Sequence, residues 1–226
     1  LRSSTDDFIE IIKPFLGRMK KNGVVHSFTG TQEELDRFLQ LGFYISVNGA
    51  SLRSEEGLQA AASIPLDKLL IETDSPWCQI KRTHPSYGYL TAYPNVYYPA
   101  VKVMEDSAVF KSGAANGTVN GAANGTNRQA WPKRKKQIQP QGKKQSSQNH
   151  EFLPFLNVRE HQYNKVVDAN SFAEDDKSRL PMIKTRNEPV CIGLVAEVMS
   201  RIKDVDPAEL IEMCYLNSCK LFEIDA

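Results

Sequence analysis

Between Ser4 and Met19 the apolar residues Phe8, Ile11, Ile12, Phe15, Leu16 and Met19 keep helical spacing. Ser3, Ser4 or Thr5 can serve as N-cap ahead of Asp6 and Asp7, and Pro14 should end or bend the helix. The period then shortens. Gly23-Val24-Val25-His26-Ser27-Phe28 reads as a strand, and Thr31 to Leu41 as a helix with Leu35, Phe38, Leu39 and Leu41 on one face. The unit repeats: Phe43 to Val47 reads as a strand, Ser54 to Ala62 as a helix, and Leu69 to Thr73 as a third strand after the turn residues Pro65 and Asp67. Strands that alternate with helices at this spacing predict parallel pairing, because parallel neighbours need a crossover of a dozen or more residues.

Beyond Trp77 the pattern dissolves. Residues 80 to 103 are rich in Tyr and Pro, and residues 107 to 150 hold Gly-Ala-Ala-Asn-Gly-Thr twice, with too few large apolar groups to offset the entropy of ordering them. Order is expected to return near Leu180. Asn187 is a good N-cap and Pro189 a tolerated first-turn residue for a helix carrying Ile192, Val195, Ala196 and Met199; a last helix starts at Asp206-Pro207 and runs through Leu221. The predicted organisation is thus an α/β domain at 1–103, a low-complexity basic insertion at 104–181, and C-terminal helices of the same domain at 182–226.

Composition narrows the class. The 226 residues are 41% hydrophobic and 24% charged, and 28 Lys and Arg against 27 Asp and Glu give a net charge of +1. These values suit an ordinary globular chain and supply no global field that would steer it to nucleic acid. The four cysteines, Cys78, Cys191, Cys214 and Cys219, match no zinc ribbon or redox spacing and read as reduced thiols. No apolar run approaches the roughly 20 residues of a spanning helix, and no export signal is visible. The expected location is cytoplasmic, nuclear or both, with no membrane partner.

In parallel α/β folds chemistry gathers at the carboxyl ends of the strands. Here those ends carry His26, Asn48 and Asp74. An imidazole and a carboxylate on one rim suit a catalytic divalent metal; the alternatives are a hydrogen-bonded core histidine for His26 and a cap or loop anchor for Asp74. Glu72 shares the face of Asp74 and, if buried, needs a basic, metal-bound or strand-positioning partner.

Four blocks, Gly-Val-Val-His-Ser-Phe-Thr-Gly, Tyr-Ile-Ser-Val-Asn-Gly, Leu-Leu-Ile-Glu-Thr-Asp-Ser-Pro-Trp and Arg-Asn-Glu-Pro, follow one another here in the order used by TatD-type deoxyribonucleases. The chain resembles that family over residues 1 to 92 and 182 to 226. The resemblance implies an amidohydrolase-like TIM barrel that cleaves phosphodiester bonds in DNA with two divalent ions, Mg2+, Mn2+ or Zn2+. It makes His26 a metal ligand, and Asp74 both a metal ligand and the catalytic residue that orients or deprotonates the attacking water. Arg2 matches the arginine of the family's His-x-Arg block and would contact substrate. The histidine of that block, the opening His-x-His pair and the bridging glutamate have no counterpart in the sequence. The chain is therefore expected to be the last three strand–helix units of an eight-stranded barrel. Its ordered stretches, 1 to 100 and 181 to 226, fall short of the roughly 250 residues typical of that fold, and such a chain should be inactive alone.

The resemblance leaves the insertion unexplained. Pro132-Lys133-Arg134-Lys135-Lys136 looks like a nuclear localisation signal and can also bind phosphates in a salt-dependent, sequence-independent way; a solvated linker is the plain alternative. Trp77 and Tyr87 either stack on a nucleobase or cover the barrel end. Asn187 either reaches substrate or only caps its helix. Two further readings stand beside the nuclease: a non-catalytic barrel remnant that binds nucleic acid or a protein through Lys133, Arg134, Lys135 and Lys136, and a barrel hydrolase acting on amide or aminoacyl-ester bonds. The oligomeric state has no signature in the sequence.

Overall fold

The computed structural model describes residues 4–99, 152–169 and 180–224. Helix α1 (Thr5–Ile12) passes into a 3-10 turn at Lys13–Arg18, where Pro14 lies in the first turn and its missing N–H costs nothing. Strand β1 (Val24–Val25) leads to α2 (Gln32–Gln40), β2 (Tyr44–Val47), α3 (Glu55–Ser63) and β3 (Leu69–Ile71). The three strands lie side by side in the order β1-β2-β3, all parallel, with Val25 opposite Ile45 and Ile45 opposite Leu69. The crossover rhythm of the sequence is thus the topology of the sheet.

The two faces of the sheet separate by the strand period of two. Val25, Ile45, Val47 and Leu69 face the helices and join Leu35, Phe38, Leu58 and Ile64 in the main core. Phe38 is the hub, with its ring 6.0 Å from Phe8 and 6.2 Å from Phe43, the second contact edge-on as ring quadrupoles prefer. On the other face Tyr44 and Leu70 form a smaller apolar layer with Leu221 and Val24. One step further along the strands that face turns polar, at Ser46 and Glu72.

Two C-terminal helices close the helical side. α5 (Ile192–Lys203) is buried from Leu194 through Ser200, and α6 (Pro207–Phe222) is capped by the Asp206 carboxylate, which accepts from the Ala208 and Glu209 N–H groups. Lys203 binds the end carbonyls of α3, at Ala62 and Ile64, where a cation suits the negative end of the helix dipole. Asn217, buried in α6, donates to the carbonyls of Leu66 (2.7 Å) and Leu69 (2.8 Å) and pins the helix beneath β3.

Structure also occupies part of the stretch expected to be a featureless insertion. β4 (Asn157–Val158) pairs in parallel with β5 (Met182–Ile183), and α4 (Tyr163–Ala169) lies between them in sequence. Leu153, with Phe152 and Phe155 beside it, packs on Met182, Cys191 and Leu194. Those few apolar anchors fix the segment, and a composition averaged over 80 residues dilutes them. Arg2, Lys133, Arg134, Lys135 and Lys136, with the low-complexity repeats, lie outside the described residues.

α2 shows how local chemistry sets an element. Thr31 and Glu34 form a reciprocal capping box, and Glu34 Oε1 also accepts the hydroxyl of buried Thr5, 2.5 Å away, which ties α1 to α2. The Thr5 hydroxyl first, and then the Thr31 N–H, hold the Glu34 carboxyl below its ordinary value of 4.5. A depressed carboxyl contributes stability that is present above its unfolded pKa and is lost as pH falls through its folded one. Urea denaturation should therefore show an acid loss of stability below about pH 4.5 that is smaller in Glu34→Gln than in wild type. Equal acid losses in the two proteins would contradict this role.

Candidate functional site at the strand ends

The carboxyl ends of β1, β2 and β3 bring together His26, Ser46, Asn48, Glu72 and Asp74. Glu72 holds the group together. Its Oε2 accepts from His26 Nδ1 at 2.7 Å and from the Ser46 hydroxyl at 2.5 Å, and its Oε1 accepts from Asn48 Nδ2 at 2.9 Å. Asn48 is fully buried and fully used: Nδ2 also donates to Ser27 Oγ at 2.8 Å, while Oδ1 accepts from the Ala50 and Ser51 N–H groups. A carboxylate placed here meets three donors, from the ends of β1 and β2, so hydrogen bonds offset its partial burial. Of the partners anticipated for Glu72, the structure supplies the histidine of β1 and two strand residues.

This arrangement selects the imidazole's tautomer. With Nδ1–H donated to Glu72, a neutral ring carries its lone pair on Nε2, which lies 3.6 Å from Asp74 Oδ1. His26 is 62% exposed and Asp74 32%, so both donor atoms are reachable from solvent. Asp74 is fixed on its other side by the Cys78 thiol, which donates to Oδ2 at 3.0 Å. Burial, with the Asp74 carboxylate adding to it, pushes that thiol up to about 11, so it keeps the proton it donates. Ser27 and Asp74 both have positive φ, 53° and 52°, which is uncommon for residues with a Cβ and aims the polar groups at the rim.

Donors about 2.1 Å from one shared cation stand roughly 3.0 to 3.5 Å apart at angles between 90 and 110°. The 3.6 Å between His26 Nε2 and Asp74 Oδ1 is slightly wider than that spacing, so a small side-chain closure would bring both donors onto one ion. The carboxylate behind Nδ1 is the usual outer partner of a metal-bound histidine. The donor set is short, since among the described residues no group of three or more His, Cys, Asp or Glu is arranged to hold a metal ion.

The remaining expected site residues fall differently. Trp77 is 71% exposed on the loop after Asp74, and its backbone N–H donates to the Asp74 carbonyl. The Tyr87 ring packs edge-on against Phe152 at 5.0 Å. Asn187 is not an N-cap: Glu188 takes that position, before a 3-10 turn at Pro189–Cys191. Instead Asn187 is buried, donating Nδ2 to the Thr73 carbonyl at 2.7 Å and its N–H to the Pro76 carbonyl at 3.0 Å. The loop after β3 leaves those two carbonyls without strand partners, and Asn187 satisfies both. Sequence reasoning did not single out Ser46 or Cys78; a serine inside the apolar run Tyr44 to Val47 was the available signal for the first.

Parallel strand–helix units with polar residues collected at the strand ends are the arrangement of barrel and doubly wound α/β enzymes alike. Residues 1–109 match the family model described as TatD related DNase, and the chain belongs to that family. The deoxyribonuclease Tat-D of Saccharomyces cerevisiae is 31% identical over 249 aligned positions that cover 98% of this chain and 46% of that protein. The deoxyribonuclease Tat-D of Schizosaccharomyces pombe is 44% identical over 89 residues, 39% of this chain and 28% of its own. The crystal structure of an uncharacterized amidohydrolase from S. cerevisiae superposes with a TM-score of 0.64 at 31% identity, over 98% of this chain and 52% of that one. The chain spans about half the length of the relatives that it matches end to end. The match at 98% coverage runs through the 104–181 segment, which motif resemblance alone had left out.

Two outcomes test the geometry. Nitrogen-15 correlation spectra of neutral His26 should show the Nδ1–H tautomer in wild type and the Nε2–H form typical of free histidine in Glu72→Ala; the same tautomer in both would remove Glu72 from this role. A Cβ on Gly49 would stand 2.0 Å from the Cys78 carbonyl oxygen. Gly49→Ala should therefore destabilise the fold by about 1–3 kcal/mol as the backbone shifts, with NMR shift changes centred on 74 to 80. An unchanged melting temperature would show that the two loops do not meet.

Proposed function

We propose that this rim is part of a metal-dependent phosphodiesterase site that hydrolyses DNA. The observation that carries the reading is the pair His26 Nε2 and Asp74 Oδ1, each held on its far side by a hydrogen bond and both open to solvent. Support for the substrate comes from the relatives, whose names describe deoxyribonucleases and, in Erwinia tasmaniensis, a 3'-5' ssDNA/RNA exonuclease.

His26 and Asp74 would hold a divalent cation, Mg2+, Mn2+ or Zn2+, and a second ion would draw on the further ligands that the family resemblance implies. Bound there, such a cation polarises a phosphoryl oxygen and lowers the pKa of a water molecule. The chain's own residues do the positioning. Glu72 fixes the ring plane and tautomer of His26. Asp74, beside that ion, orients the attacking water and accepts its proton, while Oδ2 stays tied to Cys78. Asn187, acting through the Thr73 and Pro76 carbonyls, keeps the loop that carries Asp74 in place. Among the described residues no helix is long and apolar enough to cross a membrane. The binding-remnant reading rests on a basic run outside the described residues, and no observed contact favours it.

A Mn2+ titration followed by paramagnetic broadening tests the ligands. The His26 ring signals should broaden first and recover with EDTA, and Asp74→Ala should raise the Mn2+ concentration required at least about tenfold, the scale on which losing even an outer partner of a ligand weakens a metal site. Broadening that is unchanged in Asp74→Ala would refute the assignment. Any cleavage of labelled single-stranded DNA by the chain must vanish with EDTA and in Asp74→Ala; cleavage that survives either one contradicts the phosphodiesterase reading.

A further inference from the structure

Beside Asp74 lies a cavity of about 560 Å3 whose walls include Ser75, Pro76, Tyr163, Ile183, Arg186 and Pro189. Its position is fixed relative to the candidate ligand from two directions. Ser75 and Pro76 directly follow Asp74 in the chain, and Asn187, also in the wall, is bonded to the Thr73 carbonyl on the other side of Asp74. The segment between β3 and α5 supplies one wall, since Tyr163 opens α4 and Ile183 belongs to β5, the partner of β4. The β4–β5 pairing lies beside α4 in the fold and places Tyr163 in the cavity wall next to the candidate site.

We infer that this cavity, walled by Tyr163 and edged by Arg186, is a subsite for the nucleotide next to the cleaved bond in single-stranded DNA. The inference rests on the phosphodiesterase reading of the same rim. Three features carry it. The volume lies within the range of pockets that enclose a small organic ligand and can take one nucleotide. An aromatic ring together with Ile183, Pro76 and Pro189 gives a base an apolar surface to lie on, and stacking of this kind tolerates any base. The exposed guanidinium of Arg186 can pair with a phosphate at the mouth, while the Glu188 carboxylate in the same wall can accept from an exocyclic amine but repels a second phosphate. Bases are available to such a pocket only when unpaired, so the subsite selects for single strands or frayed ends and against intact duplex.

The test measures binding without turnover. A short single-stranded oligonucleotide carrying 2-aminopurine is titrated with the chain in EDTA, so that no hydrolysis occurs. Wild type should bind and quench the probe. Tyr163→Ala should weaken binding about tenfold, on the scale of losing one stacked base, and should abolish the quenching. Tyr163→Phe, which keeps the ring, should retain both. Arg186→Ala should weaken binding and lower the slope of log Kd against log salt by about one. Tyr215→Ala, on the exposed face of α6, should change nothing, and a competing duplex of the same sequence should displace the probe poorly. Wild-type binding unaffected by Tyr163→Ala and Arg186→Ala, or no binding by wild type, overturns the subsite. A cavity that binds the probe as described beside a rim whose His26 signals ignore Mn2+ would sink the catalytic reading and, with it, the placement next to a cleaved bond, leaving a nucleotide-binding cavity alone.

Discussion

One carboxylate holds the rim of this sheet together. Glu72 sits where β3 ends and is met by a histidine from the end of β1 and by a serine and an asparagine from β2. Parallel strands are joined along their length by backbone bonds, but nothing in the ladder fixes the side chains beyond their last residues. A partly buried negative charge does so, because each donor that leaves it exposes the desolvation cost of the charge. Breaking such a cluster by removing one partner costs more than the pair is worth in isolation. The Nδ1–H tautomer of His26, its free Nε2 and the short reach to Asp74 all follow from that single requirement.

The two faces of the sheet divide the labour. Towards the helices, Ile45, Val47 and Leu69 are buried among Leu35, Phe38 and Val198, and this apolar layer supplies the stability. Towards the other face, the apolar layer of Tyr44 and Leu70 gives way to the polar layer of Ser46 and Glu72 two residues on. Close backbone packing lets the rim loops meet: at Gly49 no side chain separates the turn after β2 from the Cys78 carbonyl. Asn187 then ties the far C-terminal loop to the same place. Stability thus comes from one side of the strands and chemistry from their ends.

Much of this was legible in the sequence because it depends on period and position. Strands of period two between helices of period 3.6 gave the parallel order, and the polar residue after each apolar run gave His26, Asn48 and Asp74. Partners were less visible. That Glu72 would choose His26 rather than a distant base depends on register, with Ser46 opposite Leu70 and Val47 opposite Ile71, which no local pattern reports. Asn187 reads as a cap because asparagine before a helix usually is one; its use as a clamp arises from two carbonyls about 110 residues away in sequence. The ordered piece at 152–169 escaped because Phe152, Leu153 and Phe155 are three apolar residues beside a long polar tract, and their partners Met182 and Leu194 lie beyond it.

The central claim is that His26 and Asp74 face one shared cation, with Glu72 behind the imidazole. Anomalous diffraction from crystals of the chain soaked in Mn2+ tests it most directly. The account predicts a peak lying between His26 Nε2 and Asp74 Oδ1 at ordinary metal–ligand distances of about 2.0 to 2.3 Å, with the Nδ1 bond to Glu72 intact. A peak elsewhere on the protein, or His26 turned so that Nδ1 and not Nε2 meets the ion, would contradict it.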